Sequence, residues 1–240
     1  MQAEPRAEGQ AEAIERLRKD GLVAYPTETV WGLAAVARSP RAIEALQRWK
    51  GRPEGQPLSL IVAASDVTAQ SVQSAIGVPL PELARTLASA HWPGPLTLVV
   101  PAAPGRFPNG VAREDGAVGL RCSSHPVASA LAEAAEQAGL GPLTATSLNR
   151  SGQSPARTRE DARRMCAGAG APWQIEAGED AWGAAPSTVV DCCGSQPRIL
   201  REGAIARDAI TADLRHTAAD PADPPDHSDP PDPRNAESTG

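Results

Sequence analysis

The chain has 240 residues, 41% hydrophobic and 22% charged, so a sizeable core can be buried and disorder of the whole chain is excluded. The net charge is −6, but residues 213–240 hold seven acids and two arginines, which leaves the preceding chain near neutral. That balance offers no broad basic field for nucleic acid, and 3% aromatic residues are few for a base-stacking platform. No run of about 18 apolar residues occurs, so no membrane span is expected. Met1-Gln2-Ala3-Glu4-Pro5 also lacks the apolar segment of a secretory leader.

Residues 1–9 read as a flexible, frayed start. Ala11, Ile14, Leu17 and Arg18 fall at helical spacing over 10–20, with Gly21 as a stop. Leu22-Val23-Ala24-Tyr25 reads as a buried strand ended by Pro26. Thr27, Glu28 and Thr29 then either present polar groups to a ligand at a strand end, or Thr27 caps a helix starting near Val30 whose dipole Glu28 complements. Ser39-Pro40 reads as an N-cap followed by Pro at N1, with Ile43, Leu46 and Trp49 or Lys50 on one face and a stop at Gly51. Residues 58–62 form a second strand. A helix over about 81–89 leads into the turn Trp92-Pro93-Gly94-Pro95.

Residues 96–100 and 117–121 are further strands, followed by an Ala-rich helix over 126–138 that stops at Gly139. Residues 143–146 make a short strand running into Ser147-Leu148-Asn149, and 187–191 and 198–200 are late strands. From about Asp213 the chain repeats Asp-Pro pairs, so 213–240 is expected to be a disordered tail and 10–212 the folded domain. Strands and helices alternate, though not strictly. This predicts a layered α/β (α+β) domain around one mixed sheet.

Cys122, Cys166, Cys192 and Cys193 include no C-x-x-C pair, and His91, His125, His216 and His227 no H-x-x-x-H spacing. Free thiols in a reducing cytoplasm are expected, and no protein-held metal. Neither a G-x-G-x-x-G nor a P-loop pattern is present. The chain has only two lysines, Lys19 and Lys50. Lys50-Gly51-Arg52-Pro53 lies where a helix gives way to a turn. Its two cations form either a clamp for polyphosphate or carboxylate, or simple complements to a helix C-terminus. Ser147 to Gly152 is either a turn or a loop offering hydroxyl and amide groups to phosphate or ribose. Arg121 ends a strand, and Arg201 follows one in Leu200-Arg201-Glu202-Gly203. With Lys50 and Arg52 they suit an anionic ligand if the fold gathers them.

Tyr25-Pro26-Thr27-Glu28-Thr29-Val30-Trp31-Gly32-Leu33, Lys50-Gly51-Arg52-Pro53, Trp92-Pro93-Gly94-Pro95-Leu96-Thr97, Ser147-Leu148-Asn149 and Pro186-Ser187-Thr188-Val189-Val190-Asp191 occur in that order. Together, over roughly 10–205, they resemble the YrdC-like family of threonylcarbamoyl-AMP synthases, in its short bacterial form. The K-x-R and S-x-N signature is met by Lys50, Arg52, Ser147 and Asn149. The resemblance implies a three-layer fold with a twisted mixed β-sheet flanked by helices. It implies a cytoplasmic nucleotidyltransferase that condenses L-threonine, bicarbonate and ATP to threonylcarbamoyl-AMP and pyrophosphate, with Mg2+ held mainly by the ATP phosphates. A tRNA threonylcarbamoyl-transferase complex would then carry the group to adenosine 37 of tRNAs reading codons that begin with A.

By the same resemblance, Lys50, Arg52, Ser147 and Asn149 are the catalytic positions. Lys50, Arg52, Gln56, Thr97, Ser147 and Arg201 are expected to contact ATP, and Thr29, Arg121, Ala145 and Ser187 to contact L-threonine. Gln56 stands where many members carry Lys or Asn, Ile61 where longer members often carry His, and Leu148 where S-x-N usually holds Ala. The alternative reading is an RNA- or ribosome-binding module of the same fold without catalysis. The near-neutral body and scarce aromatics weigh against it and imply weak or no direct nucleic-acid binding.

Overall fold

The first helix of the computed structural model, α1 (Arg6–Arg18), begins four residues ahead of the predicted segment. The structure describes residues 6–53, 56–63, 70–176, 183 and 185–218. Asp20, at φ 58°, makes the left-handed turn that closes α1, in place of the predicted Gly21. The Asp20 N–H donates to the Leu17 carbonyl at 3.1 Å and the Gly21 N–H to the Arg16 carbonyl at 2.9 Å. This is a Schellman closure, and a short polar side chain tolerates its backbone angle. Asp20 also accepts a 2.5 Å bond from Ser39 Oγ. The end of one helix is thereby tied to the N-cap of the next.

β1 (Val23–Tyr25) and β2 (Gly32–Ala34) form an antiparallel pair. No helix starts near Val30. The Thr27 hydroxyl instead accepts from the N–H groups of Thr29 and Val30 and donates to the Val30 carbonyl at 2.7 Å. These bonds close a turn that sends the chain back along β1, burying Trp31 and Leu33 completely. α2 (Pro40–Lys50) has the predicted ends: Ser39 Oγ accepts from the Ala42 N–H, and Gly51 takes φ 61°, a conformation glycine adopts without a Cβ clash. Its apolar face buries Ile43, Leu46 and Trp49.

β3 (Ser59–Ile61), α3 (Gln70–Ile76) and α4 (Glu82–His91) follow. Next come β4 (Leu96–Pro101), β5 (Ala117–Arg121) and α5 (Pro126–Gln137). The predicted 143–146 strand is two strands, β6 (Leu143–Thr144) and β7 (Thr146–Ser147), divided at Ala145. α6 (Arg159–Met165), β8 (Trp173–Gln174), β9 (Thr188–Asp191), β10 (Arg198–Arg201) and α7 (Arg207–Ala218) complete the described chain.

The strands form two mixed sheets rather than the single one expected. One has the order β7-β2-β1-β8, the other β10-β9-β4-β5-β3-β6. Parallel pairs β1–β8, β3–β5 and β4–β9 sit among antiparallel ones. β6 and β7 belong to different sheets, so the chain changes sheet across one residue. Thr144 fastens the join: its hydroxyl accepts from the Ala35 N–H and donates to the Leu33 carbonyl. Helices flank both sheets. The core takes in Tyr25 and Trp31 but is mainly aliphatic, with Leu46, Leu60, Leu96, Leu98 and Leu120 fully enclosed. Each such side chain stabilises the fold by about 1.5–3 kcal/mol.

The predicted tail does not begin at Asp213. Residues 207–218 are helical, and Asp213 Oδ2 lies 2.7 Å from His91 Nε2 at the end of α4. Ile210 is buried and Leu214 packs against the core. Residues 219–240 of the predicted tail lie outside the described residues.

Candidate active site

A cavity of about 690 Å³ opens where the two sheets meet. Its floor follows from strand register. Thr97 of β4 pairs with Arg121 of β5, Val99 with Gly119, and Gly119 with Ser59 of β3. Side chains alternate along a strand, and paired residues share a face. Ser59, Thr97 and Arg121 therefore face the cavity, while Leu60, Leu98 and Leu120 face the core. Gly119 keeps the floor flat: a Cβ there would meet Ser59 Oγ at 2.7 Å and Thr97 Cγ2 at 3.3 Å. The walls come from elsewhere. The β1–β2 loop supplies Thr29 and Val30, the chain after α2 supplies Arg52, and the sheet crossing supplies Ala145, Thr146 and Ser147. Ser187 and Arg201 close the far side.

Three predicted cations converge here: Arg52, Arg121 and Arg201. Each is held by fixed acceptors. Arg52 Nη2 donates to the Pro57 carbonyl at 2.9 Å. Arg201 donates through Nε and Nη2 to the Ser187 carbonyl, and through Nη2 to Ser187 Oγ at 3.1 Å. Ser187 Oγ in turn lies 2.9 Å from Thr97 Oγ1. Arg121 Nη2 donates to Thr29 Oγ1 at 2.7 Å and to Glu28 Oε1 at 2.8 Å. Burial lowers the pKa of Arg52, and burial with the neighbouring Arg121 charge lowers that of Arg201. An arriving anion would relieve both penalties.

Eight of the expected residues line this cavity. Thr29, Arg121, Ala145 and Ser187 are the expected L-threonine contacts; Arg52, Thr97, Ser147 and Arg201 belong to the ATP set. Lys50, Asn149 and Gln56 do not line it. Lys50 turns inward, 3% exposed, and its ammonium donates to the Ser147 carbonyl at 2.5 Å, the Asn149 carbonyl at 3.0 Å and Asn149 Oδ1 at 3.1 Å. Burial, then the charge of Arg52, pushes its pKa down to about 8. Asn149 Oδ1 also accepts from Ser147 Oγ at 2.5 Å, and its amide donates to the Arg150 and Gln153 carbonyls. Lys50, Ser147 and Asn149 thus form one network that holds the wall, while Arg52, bonded to the Pro57 carbonyl, faces the opening with Ser147. Gln56 is exposed, outside the lining.

Sequence reasoning missed Ser59 and Arg157 in the lining, and the pairing of Glu28 with Arg121. Strand alternation could have placed Ser59 on the floor, and Arg157 stands in a polar loop beside the S-x-N motif. Nothing local links Glu28 to an arginine 93 residues away.

No carboxylate lines the cavity among the described residues, and no cluster of three or more His, Cys, Asp or Glu that could hold a metal occurs among them. A Mg2+ fits this donor set only as an ion chelated by a polyphosphate that brings it in.

A family model for Sua5/YciO/YrdC, described as telomere recombination, matches residues 15–203. The chain belongs to this family. It is 43% identical over 153 residues to a threonylcarbamoyl-AMP synthase of Halorhodospira halophila, covering 63% of this chain and 74% of that one. It is 36% identical over 206 residues to the threonylcarbamoyl-AMP synthase of Bacillus subtilis, covering 84% of this chain and 55% of the relative. Among solved structures, P. abyssi Sua5 complexed with L-threonine superposes with a TM-score of 0.74 at 31% identity, covering 89% of this chain and 59% of that chain. The present chain therefore spans a little over half the length of the B. subtilis and P. abyssi relatives.

Proposed function

We propose that this chain is an L-threonylcarbamoyladenylate synthase, a nucleotidyltransferase that joins L-threonine, bicarbonate and ATP and releases pyrophosphate. The observation that carries the reading is the gathering of Arg52, Arg121 and Arg201 with Thr29, Thr97 and Ser187 around one cavity, in a chain similar to threonylcarbamoyl-AMP synthases. A relative solved with L-threonine supports the amino-acid substrate. The product serves a tRNA threonylcarbamoyl-transferase complex that modifies adenosine 37. The place of action is the cytoplasm. Among the described residues no helix is long and apolar enough to cross a membrane.

The chemistry needs no protein nucleophile. The threonine amine bonds to the carbon of bicarbonate-derived CO2 and loses a proton, giving a carbamate. A carbamate oxygen then attacks the α-phosphorus of ATP. The bond to the bridging oxygen breaks, and pyrophosphate leaves. The protein gathers anions and stabilises charge in flight. Arg52 and Arg201 suit the polyphosphate, since planar guanidinium forks match phosphate oxygens. Arg121, with Thr29 beside it, suits the amino-acid carboxylate. Lys50 and Asn149 act behind them by fixing Ser147. A Mg2+ on the ATP phosphates neutralises part of their charge when bound.

The test is pyrophosphate release with ATP, bicarbonate and L-threonine. Release that requires threonine is expected. Tight RNA binding without turnover would overturn the reading.

A further inference from the structure

Arg52, Arg121 and Arg201 line one cavity, but they differ electrically. Among the described residues only Arg121 of the three is ion-paired, with Glu28. The pair is nearly closed to solvent, its side chains 11% and 7% exposed. Glu28 is held from both sides: Oε1 accepts from Arg121 Nη2 and Oε2 from Ser123 Oγ. Arg121 Nη2 is also committed to Thr29 Oγ1, whereas Nε is buried with no partner among the described residues. Both bonds leave from Nη2, so one edge of the guanidinium is anchored, while Arg121 itself lines the cavity.

A guanidinium compensated at 2.8 Å acts at a distance as a dipole, and close up as a hydrogen-bond donor. An uncompensated one attracts charge at any range. A monocarboxylate needs a planar donor and little net charge. A polyphosphate gains most from uncompensated cations. Two anions of such different charge must share this cavity without exchanging places.

We infer that Glu28 sorts them: it masks the charge of Arg121, so that Arg121 takes the amino-acid carboxylate and the polyphosphate is left to Arg52 and Arg201. Glu28 is a positioning and selectivity residue that does not itself touch substrate. The inference rests on the synthase reading above and adds a rule for how its two anionic substrates are kept apart.

The experiment is steady-state kinetics with pyrophosphate as the probe, on the full chain. In the wild type, pyrophosphate inhibition is expected to be non-competitive with L-threonine. Glu28→Gln keeps the size and an acceptor oxygen but removes the masking charge. It should raise the KM for threonine about tenfold or more, leave the KM for ATP within about twofold, and make pyrophosphate competitive with threonine. Loss of packing alone creates no such competition. A Glu28→Gln protein whose pyrophosphate inhibition stays non-competitive with threonine overturns the inference. Should that variant not fold, the wild type decides, since pyrophosphate that already competes with threonine there overturns it equally. A wild type without threonine-dependent turnover is a different result and removes the synthase reading itself.

Discussion

The Lys50 ammonium reaches Asn149 across 99 residues of chain, taking both its side-chain and its main-chain oxygen. Replacing Lys50 by Met removes three charge-assisted bonds from the segment that carries Ser147. Hydrogen bonds to charged groups stabilise by about 1.5–3 kcal/mol each, but here the burial of the charge outweighs them, as the lowered pKa of Lys50 records, so their role is to position the segment. Lys50→Met should abolish most threonine-dependent pyrophosphate release while the protein remains folded. Protease sensitivity of residues 149–157 should rise in parallel. Wild-type turnover in this variant would refute the anchoring role.

The same lysine sets an alkaline limit. Its pKa is lowered from 10.5 to about 8 in the folded protein, chiefly by burial. Below about pH 8 the ammonium donates three bonds; above it the neutral amine can donate only two. Activity should therefore fall as pH rises past about 8. Stability moves the other way. Between about pH 8 and 10.5 the unfolded chain holds more protons than the folded one, so this group makes folding more favourable as pH rises. A pH–rate profile paired with urea titrations separates the two trends, and a rate that stays flat to pH 10 contradicts the assignment.

Arg52→Ala and Arg201→Ala remove cations from the cavity without opening the core. Each should lower kcat/KM for ATP by about 10²-fold, the usual cost of losing one preorganised charged donor. Arg201→Ala should also loosen Ser187, which accepts three of its bonds. A larger threonine KM is expected for Arg201→Ala than for Arg52→Ala, and initial-rate measurements at varied ATP and threonine check it.

Away from the cavity, Asp191 at the end of β9 accepts from Arg113 at 2.7 Å and from Arg198 at 3.3 Å. Burial pushes its pKa up, but the bonds from Arg113 and from the Cys193 N–H outweigh it and leave the value at about 2. The ordinary value is 3.8, so the stabilisation is fully present above about pH 4 and is lost as pH falls through about 2. Arg113→Ala should cost roughly 1–3 kcal/mol at pH 7 and much less near pH 2. Urea unfolding at the two pH values tests this.

Cutting the chain after residue 212 removes Asp213 and Leu214, and with them the bond to His91 and part of the apolar face of α7. That truncation should lower stability by roughly 1–3 kcal/mol relative to a chain cut after 218, which keeps the whole of α7. Melting temperatures of the two shortened chains against the full one give the answer.

What the sequence made legible was local. Ser39, Pro40 and Gly51 mark both ends of α2 because capping chemistry acts within a few residues. β5 was readable as a continuous apolar run closing on Arg121. α6 was missed because it buries only Ala162 and shows no apolar stripe. Its capping box, Thr158 with Asp161, was the available signal. β2 escaped because Gly32-Leu33-Ala34 has no β-branched residue and depends on partners on both sides. At the site, spacing located the polar loops but not their orientation. Lys50 and Arg52 are two residues apart, yet the helix end sends one inward and the other to the cavity. The Glu28–Arg121 bond depends on the pairing of whole sheets, which no local pattern encodes.

The chain passes from one sheet to the other through Ala145, which also lines the cavity. Thr144, on one side of it, is bolted to β2, and Ser147, just beyond it, is clamped by Lys50. At this one-residue crossing, sliding of one sheet past the other meets fixed bonds on both sides. A molecule gripping both walls would therefore act as a wedge, and occupancy could be felt as stiffness at the remote ends of both sheets.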